Sequence, residues 1–154
     1  MKPANFFKSQ SISETKKFGR RLGSFLQAGD VLAIVGEFGA GKTTLVKGIT
    51  DGLQVASKEN VSSPSFVMIH EYQGREKVYH LDWYRLDSVK EMDAALFEQC
   101  FGEEAVSLVE WADRARRLLP DQHLWIELKH LSPKTRQIQI TPRGKRFEEI
   151  LRKL

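Results

Sequence analysis

Gly36-Glu37-Phe38-Gly39-Ala40-Gly41-Lys42-Thr43-Thr44 fits the pattern Gly-x4-Gly-Lys-Ser/Thr, and the fold is read from how the chain enters and leaves it. Val31-Leu32-Ala33-Ile34-Val35 precedes it as a short apolar, β-branched run, and Leu45-Val46-Lys47-Gly48-Ile49 follows with helical spacing. Strand, glycine loop and helix start form the setting of a phosphate-binding loop. Glycines let the backbone curl until successive N–H groups point into one concavity that holds phosphate oxygens. A helix starting near Lys42 adds unpaired N–H groups and the positive end of its dipole. Lys42 is long enough to reach the β- and γ-phosphates, and the Thr43 hydroxyl is placed to ligate Mg2+. The stretch predicts a nucleoside triphosphate site, with residues 36–44 around the phosphates.

A chain of 154 residues is expected to form one domain, residues 1–154, with a core of ordinary size. The apolar runs fall far short of the ~20 residues that span a bilayer, so no membrane association is expected. Met1 to Gln10 is mixed in character and does not read as a secretory signal. The single cysteine, Cys100, excludes an internal disulfide and agrees with a reducing cytoplasm. Leu96, Phe97 and Phe101 around it suggest a packed helix face rather than a nucleophile. A net charge of +4 is mild and scattered apart from Arg114, Arg116, Arg117 and the tail. It permits weak attraction to RNA or acidic partners without demanding it, and gives no reason to expect DNA binding.

In chain order, residues 5–10 read as a first strand. A helix follows over residues 13–27, with Ser13 as N-cap and Phe18, Leu22, Phe25 and Leu26 on one face. The helix after the loop ends near Asp51-Gly52. Residues 57–65 are polar, carry hydroxyls beside Pro64 and read as a loop at the place where nucleotide hydrolases keep a γ-phosphate sensor. Residues 66–72 and 77–82 read as strands joined by a hairpin turn at Gln73-Gly74-Arg75-Glu76, which makes the sheet mixed. A helix is expected over residues 88–99, and a strand over 105–111 ends in an acid. A short basic segment covers 112–119, two strands lie at 124–128 and 137–141, and a final helix covers 147–154. The predicted class is α/β: a three-layer fold with a mixed central sheet flanked by helices.

Mg2+ with a nucleotide needs hard oxygen ligands, and one or two carboxylates beside Thr43 and the phosphates suffice. In open α/β sheets the ligand lies beyond the carboxyl ends of the strands. Asp82, after Val78-Tyr79-His80-Leu81, and Glu110, after Val106-Ser107-Leu108-Val109, occupy such ends. Spacing alone does not say which acid meets the metal and which handles water. His80 lies two residues before Asp82 and shares its strand face, as a structural hydrogen-bonding group or a catalytic one. Trp83 and Trp111 each follow an acid directly, and either closes the site or packs in the core.

Taken in order, the glycine loop, Ser63-Pro64-Ser65-Phe66, Val78-Tyr79-His80-Leu81-Asp82-Trp83-Tyr84-Arg85-Leu86 and Val109-Glu110-Trp111-Ala112-Asp113-Arg114 are similar to the motifs of the bacterial TsaE (YjeE) family. The resemblance runs from about residue 13 to 128. It implies a P-loop NTPase-like fold and slow, partner-stimulated hydrolysis of ATP with Mg2+. It also implies service to threonylcarbamoyl-adenosine (t6A) formation at position 37 of tRNAs reading ANN codons. The implied partners are TsaD and TsaB, with tRNA reached indirectly through that complex, which hydrolysis resets between turnovers. By the same resemblance Lys42, Asp82, Glu110 and Ser65 are catalytic, and Thr43 and Glu110 contact Mg2+. Asp82 then lies near the γ-phosphate, Ser65 takes the switch-loop hydroxyl position, and Thr15 and Trp111 meet the nucleotide. Glu37-Phe38 stands where the family has Asp-Leu, Ser65 where it has Thr, and Trp83 where it has Leu. The competing reading is a small-molecule or nucleotide kinase in which Asp113-Arg114-Ala115-Arg116-Arg117 acts as an arginine-rich lid.

Overall fold

The computed structural model describes residues 5–56, 61–62, 69–86 and 94–154. β1 (Asn5–Ser9) leads into α1 (Ile12–Ser24), and β2 (Val31–Val35) into α2 (Lys42–Gly52). β3 (Ile69–Gln73) and β4 (Lys77–Asp82) form a hairpin, and α3 (Ala94–Phe101) precedes β5 (Val106–Glu110). A 3-10 segment (Ala112–Leu118), β6 (His123–His130), β7 (Arg136–Arg143) and α4 (Lys145–Lys153) complete the described chain. Ser63 to Met68 lie outside the described residues, and so does the 88–93 part of the expected helix.

Among the described residues, seven strands form one sheet in the order β1-β7-β6-β2-β5-β4-β3. β2 is parallel to both β5 and β6, and β4 is parallel to β5. β3 pairs antiparallel with β4, and β7 antiparallel with β6 and β1. The expected mixed sheet is therefore a parallel centre with antiparallel margins. β2, at the middle, is buried along its whole length, as a strand covered on both faces must be.

Side-chain alternation divides the core into two layers. Leu32 and Ile34 pack with Leu22 of α1, Leu45 and Ile49 of α2, and Phe147 and Ile150 of α4. Val31, Ala33 and Val35 face the other way, toward Cys100 of α3 and Ala112, Ala115 and Leu119 beside β5. Helix, sheet and helix give the predicted three layers. Cys100 is buried, and burial pushes its thiol up to about 11, which suits packing and not nucleophilic attack.

Helix α1 begins earlier than the sequence reading placed it. Ser11, not Ser13, is the N-cap: its Oγ accepts from the Glu14 N–H at 3.1 Å, and Glu14 Oε2 accepts from the Gln10 N–H at 2.6 Å. Ser11-x-x-Glu14 is a capping box displaced by one residue at its return bond, and it satisfies two otherwise unpaired backbone donors. Ser13 is exposed inside the first turn. The helix also stops at Ser24, yet Leu26 beyond it stays buried and Phe25 packs partly against the same core. Strands β6 and β7 run longer than expected, and α4 starts two residues sooner than 147, at Lys145.

Two glycine pairs set how closely α1 and α2 approach. A Cβ on Gly19 would lie 2.7 Å from the Leu45 carbonyl oxygen, and one on Gly23 2.2 Å from that of Ile49. On the facing helix, a Cβ on Gly48 would lie 2.4 Å from the Lys16 carbonyl oxygen, and one on Gly52 2.2 Å from that of Arg20. Glycines four apart share a helix face, so each helix presents a bare strip of backbone to the other. This contact fixes α2 against the sheet, and with it the loop that α2 terminates.

Candidate nucleotide-binding site

The chain leaves β2 at Val35 and turns at Gly36, where a Cβ would lie 2.7 Å from the Leu128 carbonyl oxygen of β6. Gly41 takes the left-handed conformation (φ 104°) and opens α2 with no side-chain cap. The first N–H groups of α2 are thus left to face the cleft, as phosphate binding at a helix start requires. Glu37, Phe38 and Gly39 are exposed along the loop, whereas Ala40 is buried beneath it.

Lys42 is buried and folds back over the loop. Its Nζ donates to the Gly36 and Glu37 carbonyl oxygens at 2.5 and 2.7 Å and lies 4.2 Å from the centre of the Trp111 ring. Burial pushes its ammonium below the ordinary value, and the Glu110 and Asp82 carboxylates oppose that shift.

Asp82 and Glu110 meet through the strand order. β4 and β5 are parallel neighbours, and Asp82 pairs directly with Glu110 at their carboxyl ends. Val78, His80 and Asp82 alternate onto the face that holds α2, as do Val106, Leu108 and Glu110. Both acids are buried, each 2% exposed. Glu110 Oε1 accepts from the Thr43 hydroxyl at 3.1 Å and Oε2 lies 2.5 Å from His80 Nε2; Asp82 Oδ1 accepts from the Tyr84 N–H at 2.8 Å. A cleft of about 410 Å3 is lined by Lys42, Thr43, Thr44, Asp82, Glu110 and Trp111 together with Gly39, Gly41 and Phe38.

The two tryptophans separate here. Trp83 is 1% exposed and packs in the core against Phe101, ring centres 6.1 Å apart. Trp111 leaves β5 in the left-handed region (φ 57°), uncommon for a non-glycine residue, and stands at the cleft. It meets Phe38 and Tyr84, each with ring centres 4.9 Å away, and Phe38 and Tyr84 meet at 4.7 Å. Phe38 thus finds a purpose at its bulk: an aromatic wall above the lysine.

Thr15 lines a second cleft, of about 390 Å3, with Ser11, Pro133 and Lys134; this cleft shares Ile12, Gly41, Thr44 and Arg136 with the first. The Thr15 hydroxyl is bonded to Ser9 Oγ at 2.6 Å and to the Ser11 carbonyl at 3.3 Å, so Thr15 shapes that wall from a buried position. Ser65 lies outside the described residues. The sequence reading missed Tyr84 and Arg136. Tyr84 had a local signal, two residues beyond Asp82, whereas Arg136 had none: it reaches the loop from β7, donating to the Gly39 carbonyl at 3.2 Å. Arg114 stands beside the cleft rings, 5.3 Å from Tyr84 and 6.0 Å from Trp111, whereas Arg116 lies 4.0 Å over Trp125, which does not line the cleft.

Among the described residues no group of three or more His, Cys, Asp or Glu side chains is placed to hold a metal ion. The donors that are present, a threonine hydroxyl against one oxygen of a buried carboxylate, are hard oxygens of the kind Mg2+ takes when a nucleotide's phosphates complete its shell. The site therefore fits a magnesium ion that arrives with the nucleotide.

Loop, helix start and paired strand-end acids define a nucleotide-binding protein of P-loop NTPase-like fold. The family described as threonylcarbamoyl adenosine biosynthesis protein TsaE matches residues 9–138. The tRNA threonylcarbamoyladenosine biosynthesis protein TsaE of Bacillus subtilis (strain 168) is 39% identical over 142 residues, covering 92% of this chain and 87% of its own. The protein of the same name from Treponema pallidum (strain Nichols) is 33% identical over 132 residues, covering 86% and 96%. The crystal structure of Bacillus subtilis YdiB superposes with a TM-score of 0.83 at 32% identity, over 99% of this chain and 95% of that one. The chain belongs to the TsaE family.

Proposed function

We propose that residues 1–154 act as one ATPase domain that hydrolyses ATP to ADP and phosphate with Mg2+, in the cytoplasm. Its service would be t6A formation on tRNAs reading ANN codons, with TsaD and TsaB as partners and tRNA met through that complex. The relatives named for this biosynthesis support the biological setting. The observation that carries the chemistry is the Thr43–Glu110 hydrogen bond beside Asp82, at the mouth of the glycine loop.

Mg2+, when bound, would supply charge neutralisation on the terminal phosphates. Thr43 and Glu110 would hold the cation. The loop N–H groups and Lys42 bind phosphate oxygens, with Lys42 exchanging its bonds to Gly36 and Glu37 for them. Asp82, held by the Tyr84 N–H, orients the water that attacks the γ-phosphorus as the bond to the bridging oxygen breaks. Ser65 supplies a sensing hydroxyl, Trp111 excludes water above Lys42, and the Thr15 cleft takes the nucleoside end. No Asn-Lys-x-Asp guanine motif occurs in the chain, which favours ATP. The kinase reading, which needs an arginine-rich lid, has Arg114 beside the cleft rings but Arg116 stacked away over Trp125.

The test is phosphate release from ATP with and without the TsaD–TsaB pair, run beside a screen of small phosphoryl acceptors. Stimulated release with no transfer is expected; transfer to an acceptor with no response to the pair would refute the reading. Lys42→Ala and Glu110→Ala are each expected to lower stimulated turnover by about 100-fold or more. Normal hydrolysis by Glu110→Ala would remove its assigned role.

A further inference from the structure

The established motifs leave one buried group unexplained. His80 is 0% exposed, on β4 one strand in from the sheet edge, and it lies against Glu110 rather than in apolar packing alone. Glu110 has two oxygens, and they meet different partners: Oε1 the Thr43 hydroxyl in the cleft, Oε2 His80 Nε2 behind it. A carboxylate left with one partner turns about its last torsion, which is broad for Glu. With both oxygens bonded it has one orientation.

The next shell fixes the histidine in turn. Tyr72, on the edge hairpin and 5% exposed, places its hydroxyl 3.3 Å from His80 Nδ1 and 3.2 Å from His70 Nδ1. Hydrogen-bond donors can then be arranged in one direction. His70 Nδ1–H donates to the Tyr72 oxygen, Tyr72 O–H to His80 Nδ1, and His80 Nε2–H to Glu110, the carboxylate acting as final acceptor. The Ser62 carbonyl, 3.4 Å from the Tyr72 hydroxyl, is the longer competing acceptor. Chains of this kind strengthen each member and set the tautomer of the histidine.

We propose that His80, oriented by Tyr72, is a positioning residue for Glu110: by binding Oε2 it presents Oε1 beside Thr43 to the cation of a Mg-nucleotide. The inference rests on the Mg-triphosphate reading of the site. A histidine that merely holds β4 to β5 would affect nucleotide binding equally with and without metal; a positioning histidine acts only when the metal is present.

Calorimetric titration of a non-hydrolysable ATP analogue in Mg2+ and in EDTA separates these cases, the readout being the Kd in EDTA divided by the Kd in Mg2+. The wild type sets the reference ratio. For His80→Leu the ratio falls about tenfold while the Kd in EDTA stays unchanged. His80→Gln, whose amide N–H2 can replace Nε2–H, restores most of it, and Tyr72→Phe loses about threefold. The proposal is overturned if His80→Leu keeps the wild-type ratio, if it weakens binding equally in both buffers, or if His80→Gln is no better than His80→Leu. Should His80→Leu not fold, Tyr72→Phe decides, and an unchanged ratio there overturns the proposal. A wild type that binds equally with and without Mg2+ removes the metal reading itself, and the role of His80 with it.

Discussion

The Lys42 ammonium donates to two loop carbonyls and lies over the Trp111 ring, three contacts that a bound triphosphate would compete for. Were phosphate to take the lysine, the indole would lose its cation and its surroundings would change. Nucleotide binding is therefore expected to shift tryptophan emission, and Trp111→Phe to abolish most of that shift while leaving the Trp83 and Trp125 emission in place. A response that survives in Trp111→Phe would place the reporting ring elsewhere. Both Trp83 and Trp111 follow an acid in the chain, so neighbouring residues do not distinguish them. What does is the backbone: Trp83 remains close enough to strand geometry for its N–H to donate to the Glu110 carbonyl at 3.0 Å, and its ring enters the α3 layer. Trp111 turns into the left-handed region and its ring swings to the cleft.

Helices α1 and α2 touch backbone to backbone, and glycine is the reason they can. In an open helix Gly→Ala stabilises by roughly 0.5–1 kcal/mol, because glycine loses more freedom on folding. Gly23→Ala has the opposite expectation, since its methyl would lie 2.2 Å from the Ile49 carbonyl oxygen, which belongs to a packed helix and cannot rotate away. Overpacking of this kind costs about 1–3 kcal/mol, enough to outweigh the propensity gain, and urea unfolding gives the sign. A stabilised Gly23→Ala would mean that the helices part without loss. The glycine pairs stand in plain sight in the sequence, but a glycine in a helical pattern reads equally as a weak point, and only the crossing of two helices makes it a requirement. The capping box at Ser11 is a local signal, obscured because Ser13, two residues on, is also a good cap type.

At the scale of the molecule, the site is a property of the folded chain. Lys42 and Thr43 come from α2, Asp82 from β4, Glu110 from β5 and Arg136 from β7, so a ligand that needs them together binds the native state alone. Binding at 100 times Kd then adds about 2.7 kcal/mol to stability. In a domain of this size that raises Tm by roughly 5–11 °C. Mg-ATP analogue is expected to do so for the wild type and not for Lys42→Ala, in a thermal melt; an equal rise in both would show binding away from the loop. The sequence by itself determined the glycine loop with its strand and helix, the mixed sheet, and the two acids at strand ends, since each rests on local pattern and backbone sterics. Tertiary structure alone decided that β4 lies beside β5 with Asp82 opposite Glu110, that His80 backs the carboxylate, and that Arg136 reaches Gly39. Strand order and register arise from how apolar faces are shared among distant segments, and no stretch of chain carries that information alone.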